Sequence, residues 1–295
     1  MKQATILAAT LAAAALAASS ASAITIDGLL DGGYGVARSI QTTQTNFGDN
    51  NLGSFGFANG SEQDAAFVTY DGNTMYLFLS GNLESNFNKL EIFFDTIPGG
   101  QNKLRGDNAD VDFNGLNRMS DLNFDDGFEA DFYMMVTGGD VGGGEYKMFA
   151  NFATLPTGGG GVGTFLGGTD EATYNAGPNA LGIEFTIDNR NVAGEQGGCD
   201  AGSGAGTFTG VEIAIPLDAI GNPSDCLKIA TFVNGGSHDF VSNQTLGPLA
   251  PGTCNLGDPH FVDFRTQAGD QFFGICDAPT PVKTATWGRV KSLYR

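Results

Sequence analysis

The amino-acid sequence predicts an all-β chain, folded as a two-sheet antiparallel β-sandwich of jelly-roll type with long Gly/Asn-rich loops. Three observations predict it. Short apolar runs rich in Phe, Tyr, Ile and Val recur along the chain, too short for helices and of the composition that suits strands. The 45 Gly and 23 Phe, with few Lys or Glu, oppose helix and favour strands joined by glycine turns. No repeat of fixed period appears, and about ten strands at irregular spacing fit packed antiparallel sheets better than a solenoid.

Taken in order, residues 1–23 open with Lys2, run through an Ala/Leu-rich stretch and end in Ala21-Ser-Ala23, the pattern of a secretory signal peptide. Residues 24–278 form the expected β-sandwich domain. Ile24 to Ile26 reads as a first short strand, and Tyr34 to Arg38 follows two Asp-Gly turns. Gln41 to Ser61 is a polar loop for which Phe47, Phe55 and Phe57 are the apolar anchors. Ala65 to Tyr70 and Thr74 to Ser80 pair as a hairpin across Asp71-Gly-Asn73. Lys89 to Asp95 is the next strand. Phe128 to Val136 is another, and its alternation puts Phe128, Ala130 and Phe132 on a buried face and Glu129, Asp131 and Tyr133 on a wet one. Glu145 to Phe152 closes a second hairpin across the Gly138 to Gly144 turn. Pro156 to Gly168, with four consecutive glycines, reads as a surface loop. Leu181 to Ile187, Thr209 to Ile215 and Leu227 to Val233 read as strands, with one helical turn at Leu217 to Gly221.

The net charge of −19 makes nucleic acid and anionic membrane surfaces poor partners, whereas a cation suits it. After the leader, no apolar run approaches the roughly 20 residues that a membrane-spanning helix needs. Cys199, Cys226, Cys254 and Cys276 in an exported chain predict two disulfides, with nearest neighbours (Cys199 with Cys226, Cys254 with Cys276) weakly preferred among three pairings. Zinc is disfavoured by the long spacings, by the lack of any CxxC and by a histidine content limited to His238 and His260.

Asp107 to Asp126 is dense in Asp and Asn. Within it Asp110, Asp112, Asn114 and Gly115, followed by Asp121, fit the spacing of a calcium loop, in which alternate oxygen ligands converge as the chain curls around Ca2+. The segment is similar to dockerin loops at Asp121, but its flanks read as turn and strand. For sugar binding, aromatic platforms beside polar side chains are required, and Tyr133, Tyr146, Glu129 and Asp131 are the candidates. Carboxylates Glu91, Glu129, Asp131, Glu184 and Glu212 allow a glycoside-active enzyme as an alternative. His238-Asp239 lies in a turn, and Ser203 lacks the setting of a hydrolase nucleophile.

The final stretch, 279–295, is a Pro-containing linker and a basic tail with Lys283, Arg289, Lys291, Arg295 and the single Trp287. It reads as a strand on the acidic body or as a sorting tag for an envelope or matrix partner.

The opening Ile24-Thr-Ile-Asp-Gly28, the run Met75-Tyr-Leu-Phe-Leu-Ser-Gly81 and Gly210-Val-Glu-Ile-Ala-Ile-Pro216 resemble the segments of carbohydrate-binding family 9 and DOMON-type sandwiches. Leu83 to Asp95 and Ser237 to Gln244 are also similar to secreted bacterial proteins that carry no assigned chemistry. The family resemblance implies a non-catalytic sandwich, often with a structural calcium, that binds glycans or, in DOMON relatives, haem or sugar. Neither the Met nor the His of haem ligation is matched by position. The expected function is a secreted, extracellular or cell-surface module binding a polysaccharide or cell-surface glycan, with a structural matrix protein as the alternative.

Overall fold

The computed structural model describes residues 23–47, 60–143, 145–170, 179–191 and 198–276. Residues 1–22 of the expected signal peptide 1–23, Phe55, Phe57 and the tail from 277 lie outside them. Twelve strands are formed among the described residues: β1 (Ser39–Ile40), β2 (Glu62–Asp71), β3 (Thr74–Asn82), β4 (Asn86–Asp95), β5 (Phe132–Asp140), β6 (Tyr146–Thr154), β7 (Gly163–Asp170), β8 (Glu184–Ile187), β9 (Gly210–Pro216), β10 (Leu227–Asn234), β11 (Val241–Leu246) and β12 (Phe273–Ile275). One short helix, α1 (Gly115–Arg118), and four 3-10 turns complete the list, including the expected turn at Leu217–Ile220. No helix among the described residues is long and apolar enough to cross a membrane.

The strands form two antiparallel sheets, as the sequence predicts. The smaller has the order β1-β2-β3-β9-β8 and the larger β11-β10-β4-β5-β6-β7, with β12 also on β10. The β2–β3 hairpin closes at Asp71↔Thr74 and β5–β6 closes at Asp140↔Tyr146. Three readings change. Ile24 to Ile26 forms no strand; the chain instead turns in a 3-10 segment at Gly32–Tyr34. The second half of Pro156 to Gly168, read from its glycines as loop, lies in strand β7 (Gly163–Asp170), because pairing with β6 supplies what propensity lacks. The disulfides are Cys199–Cys254 and Cys226–Cys276, not the nearest-neighbour pairs. The second follows from register: Leu227 of β10 lies opposite Ile275 of β12, so the cysteines just outside each strand meet.

Two apolar cores result. Between the sheets, Met75, Leu77 and Leu79 of β3 and Ile213 and Ile215 of β9 meet Ile92 and Phe94 of β4 and Met134 and Val136 of β5. The second core lies on the other side of the larger sheet. There Phe93, Tyr133, Met135 and Phe232 are roofed by Leu116, Met119, Leu122, Phe124 and Phe128 of segment 96–131 and by Val262 and Phe264. This roof ties itself together through bridges Gln101↔Ala130, Lys103↔Asn123 and Asn123↔Asp263. It corrects the expected alternation over Phe128 to Val136. The strand starts only at Phe132; Phe128 and Ala130 belong to the roof's core, while Phe132 enters the core between the sheets. Of the expected wet face Glu129 is exposed but Asp131 and Tyr133 are buried, because β5 is covered on both faces along most of its length. Phe47 does anchor its loop, stacking on Phe240 with ring centroids 5.9 Å apart.

Candidate functional site

The roof stops short of the sheet's edge. Its Asp112 and Phe113 form one side of a cavity on the outer face of β4, β5, β6 and β7. The register sets what is displayed there. One cross-strand row runs Asn234, Lys89, Thr137, Phe149, and the next runs Phe232, Glu91, Met135, Asn151, Phe165. The result is an open cavity of about 650 Å³ lined by Phe87, Lys89, Asp112, Phe113, Thr137, Phe149, Asn151, Phe165 and Gly236.

Small residues make room for its rings. A Cβ on Gly139 would fall 2.6 Å from the Phe87 ring, and one on Gly168 would fall 2.7 Å from that of Phe149, so each aromatic lies over bare backbone. The rim rings face solvent: Phe113 is 91% exposed and Phe165 60%. Backbone strain gathers at the same place. Phe87, Asp112, Phe113, Asn114 and His238 all carry positive φ, a conformation that costs non-glycine residues free energy and that the surroundings must enforce.

The enforcing contacts form a buried chain of charges. His238 donates from Nδ1 to Glu91 Oε1 at 2.7 Å and from Nε2 to Asp112 Oδ2 at 2.8 Å. Lys89 Nζ reaches the same Asp112 oxygen at 2.7 Å. On the far side, Tyr133 donates its hydroxyl to Glu91 Oε2 at 2.6 Å, and Asn234 Nδ2 donates to Glu91 Oε1 at 3.2 Å. His238 is 2% exposed and Glu91 is fully buried. Burial alone would strip the imidazole of its proton, but the two carboxylates outweigh it and hold His238 up at about 9. Burial also opposes ionisation of Asp112, yet hydrogen bonds from His238 and Lys89 hold it below the usual carboxylate range. Burial, then Glu91, pushes Tyr133 well above its ordinary value. Two cations thus offset two anions. Gly115 makes the chain possible, since a Cβ there would lie 2.1 Å from His238 Nε2. With both ring nitrogens held by carboxylates, the imidazole acts as a clamp between sheet and roof and has no free nitrogen to serve as a base.

The sequence candidates are distributed differently. Asp112 points at Lys89 and His238, Asp121 pairs with Lys103 at 2.6 Å, Asn114 accepts from Asn117, and Asp110 is exposed. Among the described residues no group of three or more His, Cys, Asp and Glu is placed to hold a metal ion. Tyr133 lies under the roof, and Tyr146 is in the core between the sheets, donating to the Leu83 carbonyl. Asp131 accepts from the Thr96 and Ile97 amides, and burial pushes its carboxyl up. Glu129 is exposed beside a separate polar cavity with Asp95, Asp126 and Lys228. Glu212 is held by the Asp27 and Gly28 amides and the Tyr34 hydroxyl, and burial raises it to about 7.

Sequence reasoning missed Lys89, Phe113, Asn151 and Phe165 as pocket residues, and it noted His238 and Glu91 without joining them. The available signal was the unbroken apolar run Phe132 to Val136, which marks a strand covered on both faces and therefore a further layer above it. Comparison of the chain with family profiles, with curated proteins and with solved structures gave no match.

Proposed function

We propose that the protein is a secreted, non-catalytic binding module whose open cavity takes a neutral glycan. The observation that carries this is the pairing of solvent-facing phenylalanine rings with polar groups in one cavity of about 650 Å³, within the usual size range of small-ligand sites. A pyranose presents an apolar face to an aromatic ring and hydroxyls to its edge, and Phe113 and Phe165 with Asp112, Lys89 and Asn151 offer both. The internal balance of Lys89 and His238 against Glu91 and Asp112 favours an uncharged ligand, and the net charge of −19 disfavours an anion. Two disulfides suit an oxidising compartment, in keeping with the leader read from the sequence. A calcium ion at Asp110, Asp112, Asn114 and Asp121 would have to draw Asp112 from two cations and Asp121 from Lys103, so this function does not rely on one.

A glycan array probed with wild type and Phe113→Ala tests it. Phe113 is so exposed that its removal leaves both cores intact. Saturable binding by wild type, weakened about tenfold or more in the variant, a loss of about 1.4 kcal/mol, is the expected result. A blank array would sink the glycan assignment and favour the structural matrix protein.

A further inference from the structure

Asn151 stands apart from the other polar residues of the larger sheet's outer face. It is 7% exposed and lines the cavity. Thr137, its neighbour on β5, donates its hydroxyl to the Phe87 and Asn88 carbonyls, and Asn234 on β10 is tied to Glu91 and to two backbone amides. The Asn151 carboxamide makes no hydrogen bond among the described residues, and its polar atoms open on the cavity within reach of solvent. An amide that no protein group satisfies and that opens on a cavity keeps its donor and acceptor for whatever enters, once the water on it is displaced. The surroundings sharpen the point. Asn151 sits opposite Phe165 where the β6–β7 register shifts between Ala150 and Asn151, a bulge of the kind that re-aims side chains, and Phe149 lies two residues away on the same face. One donor and one acceptor are thereby presented inside a ring of phenylalanines.

We infer that Asn151 is the specificity-determining residue of the cavity and that its carboxamide recognises a vicinal pair of hydroxyls on the bound sugar. One hydroxyl donates to Oδ1 and its neighbour accepts from Nδ2, a two-point match that a primary amide makes with adjacent hydroxyls. The apolar face of the same ring rests on Phe113 or Phe165. This deepens the glycan assignment and rests on it.

The test uses the full-length secreted protein, Asn151→Leu, the neutral oligosaccharide that binds best on the array, and its monodeoxy analogues. Thermal unfolding and calorimetric titration are the readouts. Asn151→Leu is expected to melt at or above the wild-type temperature while binding at least tenfold more weakly. Wild type is expected to lose a similar factor when one hydroxyl of the recognised pair is deleted from the sugar, and Asn151→Leu to be indifferent to that deletion. Equal binding by wild type and Asn151→Leu would overturn the role of Asn151 and leave the glycan assignment standing. A melting temperature well below wild type would overturn it too, by showing the amide to be structural. Absence of binding by wild type to every glycan would bring down the assignment and the inference together.

Discussion

One oxygen of Asp112 receives both Lys89 and His238, and that residue with its two successors is held at positive φ. The clamp therefore holds Phe113 at the cavity rim, and its charge state has a measurable consequence. His238 is held at about 9 in the folded chain, against an ordinary value of 6.5. It thus binds its proton more tightly in the native state. That contribution to stability is fully present below pH 6.5 and is lost as pH rises through 9. The predicted change is on the order of 3 kcal/mol across that window, read as a falling melting temperature. His238→Asn should lie lower at pH 6.5 and lack the fall. Identical pH profiles for the two proteins would show that the imidazole carries no such charge. None of this was legible from the sequence around His238, because Glu91 and Asp112 lie 147 and 126 residues away. A lone histidine in a Gly-Gly-Ser turn gives no sign of its partners. Asp112 was legible as an unusual residue, but its spacing with Asp110 and Asn114 pointed to an ion rather than to Lys89.

At the scale of elements, the strands that the sequence displays most clearly are those whose apolar residues fill a core by themselves. Met75 to Leu79, Leu90 to Phe94 and Leu227 to Val233 are of this kind. Those it hides are held by neighbours. β7 carries Gly163, Gly167 and Gly168, and β11 is Val-Ser-Asn-Gln-Thr-Leu, with polar side chains buried against Gln41, Gln63 and Asn255. Alternation along Phe128 to Tyr133 mimics a strand, but Phe128 to Asp131 belongs to segment 96–131, which folds back over the sheet so that Phe128 and Ala130 join the roof's core and Phe132 the core between the sheets. The disulfides act on the same scale. Cys226–Cys276 staples β12 to the start of β10, closing a separation of 50 residues. Replacing both cysteines by alanine should cost about 2–4 kcal/mol of stability, measured by denaturant unfolding. An unchanged midpoint would mean that the β10–β12 pairing needs no staple.

On the scale of the whole molecule, two sheets enclose one core and a roof of loops encloses a second over the larger sheet. The roof packs over β10, β4, β5 and Ala153 of β6, and beside its Asp112 and Phe113 it leaves the cavity. Composition and turn signals made the all-β sandwich legible, since they reflect the chain as a whole. The cavity was not legible, because it is defined by where one loop stops. The central claim is that a glycan sits on the open face of β4 to β7 beside Asp112. Chemical-shift mapping of the phenylalanine ring signals and the Asn151 side-chain amide, during titration with the best array ligand, tests that claim most directly. The account predicts perturbations centred on Phe87, Phe113, Phe149, Phe165 and Asn151, with Phe78 beneath Tyr34 and Phe185 between the sheets unmoved; perturbations centred elsewhere, or none at saturating ligand, would contradict it.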